Sequence, residues 1–160
     1  MFERNFDLSG LVNLEEWQKI QDSISDAIGV TLITVSTDGK FISNISHPPR
    51  FCTETIPKIS NNETCEHCFL RGDFKNFLEF QEKKHSKCPS GLHTIYVPIK
   101  PVSDKIAAYV IIGPLILEER KTDAAYLNYA KNLGISLDDM IDTLIEINVF
   151  THTKIYSIKK

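Results

Sequence analysis

The chain has 160 residues, of which 42% are hydrophobic and 24% charged, the size and make-up of one soluble globular domain over 1–160 with its core at about 8–150. A net charge of −3 excludes the basic stripe of a nucleic-acid-binding surface, so no direct nucleic-acid contact is expected. The N-terminus has no signal-peptide run, and no stretch of about 18 apolar residues is present to cross a bilayer. The longest apolar run, IAAYVIIGPLIL, is broken by Gly113 and Pro114. A cytoplasmic protein with reduced thiols and no membrane partner is expected.

Residues 11–28, LVNLEEWQKIQDSISDAI, predict an amphipathic helix. Leu14, Trp17, Ile20, Ile24, Ala27 and Ile28 recur at helical spacing, Asn13 is a candidate N-cap and Gly29 a stop. Trp17 is read as core rather than as a ligand-stacking residue. Beyond Gly29 the period changes: VTLITVS, then Asp38-Gly39, then KFISNIS predict a β-hairpin, ended by His47-Pro48-Pro49.

All four cysteines fall in the next stretch: Cys52, then Cys65 and Cys68 as a CxxC, then Cys88. A CxxC aims two thiolates at one point, and soft thiolates select zinc or an iron–sulphur cluster. The spacing matches no standard zinc ribbon or ferredoxin and does not choose between the two metals. Buried free cysteines, disulfides and a dithiol redox pair are the competing readings. His67 is a possible substitute for one sulphur. Residues 51–59 predict a short turn or helix, and NNET at 61–64 caps a predicted helix through Lys84, with the CxxC in its first turn. There the helix dipole favours thiolate.

LHTIYVPIK at 92–100 and KIAAYVIIGPLIL at 105–117 predict a second strand pair, the latter central in the sheet, with Gly113 marking a bulge or a close backbone approach. From Asp123 the period is helical again, with Ala124, Leu127, Ala130 and Leu133 on one face and Gly134 as stop. Ser136 caps a further helix, LDDMIDTLIEINVF, with apolar positions 137, 140, 141, 144 and 145. Its stripe suits either docking on the sheet or contact with a second copy, so a homodimer is an open expectation. The order of helix, hairpin, helical insert, hairpin and helices predicts an α+β domain: a PAS-like antiparallel sheet of about five strands with flanking helices and a helical insert that carries the cysteines.

These residues, in order, resemble the PocR sensory domain: LVNLEEWQKIQDSISDAIGV, a hairpin at TDGKFIS, then FC, a cysteine in a helix, C-x-x-GL, VPI and VIIGPLI. The resemblance covers roughly 8–150. It implies a PAS-like ligand sensor of bacteria and archaea that commonly precedes an AraC-type DNA-binding unit, a histidine kinase or a cyclic-dinucleotide enzyme. The implied ligands are small organic molecules such as diols or simple hydrocarbon derivatives. Cys52, Cys65 and Cys88 fall where the family pattern has cysteine, Gly91 and Leu92 match its Gly-Leu, and Cys68 has a weaker place in it.

The expected function is a non-catalytic sensor. Its metal candidates are Cys52, Cys65, Cys68 and Cys88, holding zinc or an iron–sulphur cluster; its ligand-binding candidates are His93, Tyr96 and Tyr109. The expected partner is a signalling output such as a transcription regulator or histidine kinase. A CxxC thiol oxidoreductase and a structural zinc interaction module are the alternatives; no Ser/His/Asp order, phosphate loop or HExxH motif is present.

Overall fold

The computed structural model describes residues 8–56, 85–88, 91–101, 104–151 and 154. After a 3₁₀ turn at Leu8–Gly10 comes helix α1, Leu14–Ile28. Asn13 caps it, its Oδ1 accepting from the Glu15 and Glu16 amides at 2.9 and 3.3 Å. Gly29 stops it in the left-handed conformation at φ 71°.

Strand β1, Leu32–Ser36, turns at Asp38-Gly39, where Gly39 has φ 85°. The arm that returns is less regular than the predicted second strand. It touches β1 through isolated bridges, Val35 to Phe41 and Leu32 to Ser46. Ser46 and Leu32 exchange both backbone hydrogen bonds, at 2.8 and 3.2 Å. A π-helical turn follows, Phe51–Thr55, within the short turn or helix expected over 51–59. The predicted helix that would carry Cys65 and Cys68 lies outside the described residues.

The sheet is antiparallel, in the order β1-β4-β3-β2, where β2 is His85–Lys87, β3 His93–Ile99 and β4 Ala108–Leu117. β3 and β4 form the expected second strand pair, and β4 is central. Between Ile95, opposite Ile112, and His93, opposite Leu115, the register shifts. Thr94 on β3 then faces both Gly113 and Pro114 on β4, which is the bulge expected at Gly113. Gly113 has φ 136°, a conformation side-chain-bearing residues rarely adopt.

Helix α2, Asp123–Leu133, is capped by Thr122 and stopped by Gly134 at φ 71°. Its inner face differs from the expected one. Ala130 is 1% exposed and Tyr126, Tyr129 and Leu133 pack on the core, whereas Leu127 is 38% exposed. The two tyrosines outweigh the small Ala124 and turn the helix toward themselves. Helix α3, Leu137–Leu144, is capped by Ser136 as expected, but ends well short of Phe150. Val149 and Phe150 instead form β5, parallel to the end of β4. Arg120 explains the stop: its guanidinium donates to the carbonyls of Leu144, Ile145 and Ile147 at 3.0, 3.2 and 2.7 Å, satisfying the chain where it leaves the helix.

The largest departure concerns α1. Most of its apolar stripe points away from the sheet, with Ile20 53% and Ile24 44% exposed, while Gln21 and Ser25 are buried; Ile28, at the end of the helix, packs on the core. Trp17 is half-buried rather than in the core, and its indole N–H donates to Thr34 Oγ1 at 2.8 Å. The cause is a row of hydroxyls on β1 and its return arm, which only a polar face can satisfy. Gln21 meets them from both ends of its amide. Its Oε1 accepts from Thr34 and Ser43 at 2.8 and 2.7 Å, and its Nε2 donates to Ser46 Oγ and the Asn44 carbonyl at 2.8 and 2.9 Å.

An open four-stranded antiparallel sheet with flanking helices makes this an α+β domain of PAS-like type. Among the described residues no helix is long and apolar enough to cross a membrane.

Candidate functional site

One corner of the fold gathers features with chemical capacity. Cys52 is the second residue of the π-helical turn, and its amide donates to the Pro49 carbonyl at 3.0 Å. That turn is fastened to α3 by the buried Thr55–Thr143 hydroxyl pair at 2.7 Å. Arg50 adds ion pairs with Glu54 at 3.0 Å and with Glu146 at 2.8 Å. Cys88 stands at the base of the β2–β3 turn. Its amide donates to the Leu92 carbonyl at 2.8 Å, and Gly91, at φ 78°, donates back to the Cys88 carbonyl at 2.9 Å. Glycine holds that left-handed position without strain.

Both cysteines are half-buried and pack against the same hydrophobic cluster, built on Phe51, Leu92, Ile116, Ala130, Met140 and Leu144. A cavity of about 150 Å³ opens on that cluster. It shares Leu92, Ile116 and Leu144 with it, together with Tyr126 that packs against it, and adds Gly91, His93, Leu117, Glu119 and Lys121. The bulge at Gly113-Pro114 sets this geometry by shifting the register between the start of β3 and the end of β4. Tyr126 is fixed by the Lys121 amide, which donates to its hydroxyl at 3.2 Å.

Apolar walls with an imidazole, a phenol, one carboxylate and one ammonium around them suit a small molecule that has a hydrocarbon body and a polar end. A volume near 150 Å³ is that of cavities known to take a benzene-sized guest.

The predicted site residues thus fall into three groups. Cys52 and Cys88 pack on one cluster, and His93 lines the cavity that opens on it. Tyr96 and Tyr109, 3% and 8% exposed, lie elsewhere, in a second cluster with Ile33, Val35 and Ile111. Register puts these five on one sheet face, opposite the face on which Thr34 meets α1. Burial pushes the Tyr109 phenol above its ordinary range. Cys65 and Cys68 lie outside the described residues. Among the described residues no three of His, Cys, Asp and Glu are grouped to hold a metal.

Sequence reading missed Glu119, Lys121 and Tyr126. The run EERKTD between a strand and a helix reads as an exposed charged loop, and nothing local shows that two of its side chains turn toward a cavity.

The fold is an α+β domain of PAS-like type. The family model described as the sensory domain found in PocR matches residues 10–160, and the chain belongs to that family. Comparison with curated proteins and with solved structures found no match.

Proposed function

We propose that this sensory domain receives its signal at the corner formed by Cys52, Cys88 and His93. A small organic molecule in the His93 cavity is one arm of the reading. A zinc ion or iron–sulphur cluster on Cys52, Cys65, Cys68 and Cys88 is the other. The observation that carries it is the sharing of Leu92, Ile116 and Leu144 between the cavity and the cluster on which both cysteines pack.

That cluster is also where α2 and α3 are seated. Close-packed interiors respond to an occupant by repacking between discrete arrangements rather than by yielding smoothly. A guest or metal that prefers one arrangement shifts the population toward it, and the C-terminal elements carry the change to an output such as a transcription regulator or histidine kinase. Half-buried thiols suit this role, since they are soft metal ligands held where a metal would brace the cluster. The role requires no bond-making step, and the domain is read as non-catalytic.

The test has two readouts on one anaerobic preparation. Metal and acid-labile sulphide analysis with an absorption spectrum distinguishes a cluster from zinc, and substitution of any of the four cysteines by serine is expected to release the metal. Thermal shift with small diols, alcohols and carboxylates is expected to raise the midpoint for at least one compound, by an amount that His93→Ala abolishes. A metal-free protein with no midpoint shift across the panel overturns the reading. A thiol oxidoreductase would instead turn over dithiol substrates and lose that activity, but not its fold, in Cys65→Ser.

A further inference from the structure

The outer edge of β4 changes partner part-way along its length. β1 pairs with it as far as Leu32 opposite Ile112, and the Gly113 amide still donates to the Thr31 carbonyl at 3.0 Å. β5 takes over with Val149 opposite Ile116. Pro114 falls between the two and has no N–H to offer either. At this break a cleft of about 310 Å³ opens between the end of α1, the His47–Pro49 loop and the chain entering β5. Buried Val30, Ile147 and Phe150 give it apolar wall.

Its polar groups are Asp26, His47, Glu146 and Asn148, with hydroxyls from Ser25 and Thr31. His47 is held at φ 49°, uncommon for a residue other than glycine. Two contacts hold it there: Thr31 Oγ1 donates to its carbonyl at 2.6 Å, and its Nε2 lies 2.7 Å from Asp26 Oδ1. The donors are largely used. Asn148 Nδ2 donates to the Gly29 carbonyl at 2.7 Å, and the Ser25 hydroxyl to the Val30 carbonyl. What is left over is acceptor capacity. Glu146 receives Arg50 on Oε1 at 2.8 Å, and Asp26 receives His47 on Oδ1. Among the described residues, the second oxygen of each carboxylate has no protein partner, and no lysine or arginine lines the cleft.

We propose that this cleft binds a small organic amine as its ammonium ion, the charge answering the spare carboxylate oxygens of Asp26 and Glu146 and the hydrocarbon body lying against Val30, Ile147 and Phe150. This is a second site, beyond the sensory reading above, and it shares no residue with the His93 cavity. An aliphatic ammonium stays charged at neutral pH, with a pKa of about 10.4 in lysine, and its hydrogen bonds to carboxylates are charge-assisted. A carboxylate guest would face two like charges, and an alcohol of the same shape would forgo the attraction. An occupant here would tie α1 and β1 to β5, the first and last described parts of the sheet and its flank.

Isothermal titration of the full chain at neutral pH with butylamine, 1-butanol and butyrate tests the proposal. Butylamine is expected to give saturable heat at one per chain, with the alcohol and the carboxylate at least about tenfold weaker. Asp26→Asn and Glu146→Gln, both at exposed positions whose unchanged fold circular dichroism checks, are each expected to weaken butylamine by about tenfold. Absence of saturable butylamine binding overturns the proposal, as does equal binding of 1-butanol or affinity unchanged in both variants. Loss of butylamine binding in His93→Ala alone would place the amine in the other cavity and likewise overturn it.

Discussion

Gly113 is pressed against the backbone of His93: a Cβ built on it would lie 2.6 Å from the His93 carbonyl oxygen and 3.1 Å from Thr94 Cα. Both neighbours are main chain in the paired strand, so neither can swing aside. The glycine also has φ 136°, outside the range that other residues adopt readily. Gly113→Ala is therefore expected to cost about 2 kcal/mol or more, from strain and clash together. Urea denaturation checks this, and Gly10→Ala is the control, since nothing lies within 4 Å of a Cβ there. The control is expected to stay within about 0.5 kcal/mol of the parent. Because the bulge sets the start of β3 against the end of β4, Gly113→Ala is also expected to weaken any ligand of the His93 cavity.

The inverted seating of α1 leads to an outcome opposite to its hydrophobic pattern. Gln21 is 3% exposed and satisfies hydroxyls of Thr34, Ser43 and Ser46 at once. Gln21→Leu keeps the bulk but leaves those groups and the Asn44 carbonyl without their amide, at a cost of about 2–4 kcal/mol. Ile20→Gln and Ile24→Gln remove apolar surface that is already in water and are expected to be neutral within about 0.5 kcal/mol. Thermal or chemical denaturation of the three variants decides the matter. If the isoleucines prove costly and the glutamine cheap, α1 is seated on its apolar face.

The same helix shows how far the residues alone reach. Asn13, Gly29, Gly134 and Ser136 marked element boundaries because caps and stops are local chemistry, settled within a few residues. Gly113 was legible for a similar reason, being a glycine inside an otherwise apolar strand. The direction α1 faces was not, because it depends on Thr34, Ser43 and Ser46, which lie 13 or more residues away from Gln21. The end of α3 was equally hidden. Its sequence continues with helical spacing to Ile145, and only Arg120, on the far side of α2, supplies the donors that let the chain leave the helix. At the site, Cys52 and Cys88 stood out by composition. Glu119 and Tyr126 did not, since charged and aromatic residues of this kind line surfaces as often as cavities.

Arg120 gives the third prediction. Its guanidinium reaches the carbonyls of Leu144, Ile145 and Ile147, two of them through one terminal nitrogen. Arg120→Ala removes three charge-assisted hydrogen bonds, two of them part-buried, and is expected to cost about 1.5–3 kcal/mol. Arg120→Lys is expected to recover only part of this, because a single ammonium cannot reproduce the planar fork. Denaturation midpoints of the two variants give the comparison. Full recovery by lysine would mean that charge near the helix C-terminus, rather than the fork, does the stabilising.

The pH dependence of stability has two limbs with separate origins. On the acid side, the Ser46 hydroxyl and the Gln18 amide donate to Asp22 Oδ1 at 2.5 and 2.9 Å, and with the nearby His47 they hold the Asp22 carboxyl below its ordinary value of 3.8. A folded pKa below the unfolded one means that this contribution is fully present above about pH 4 and is lost as pH falls through the folded value. Asp22→Asn is expected to flatten the loss of stability below that point. On the alkaline side, burial raises the Tyr109 phenol above 10.0. A raised folded pKa leaves the contribution intact below the unfolded value of about 10 and removes it as pH climbs through the folded one. Tyr109→Phe is therefore expected to retain stability above pH 10 relative to the parent, in denaturation midpoints normalised at neutral pH. An unchanged alkaline limb in that variant would show that Tyr109 ionises as readily in the folded chain as in the unfolded one.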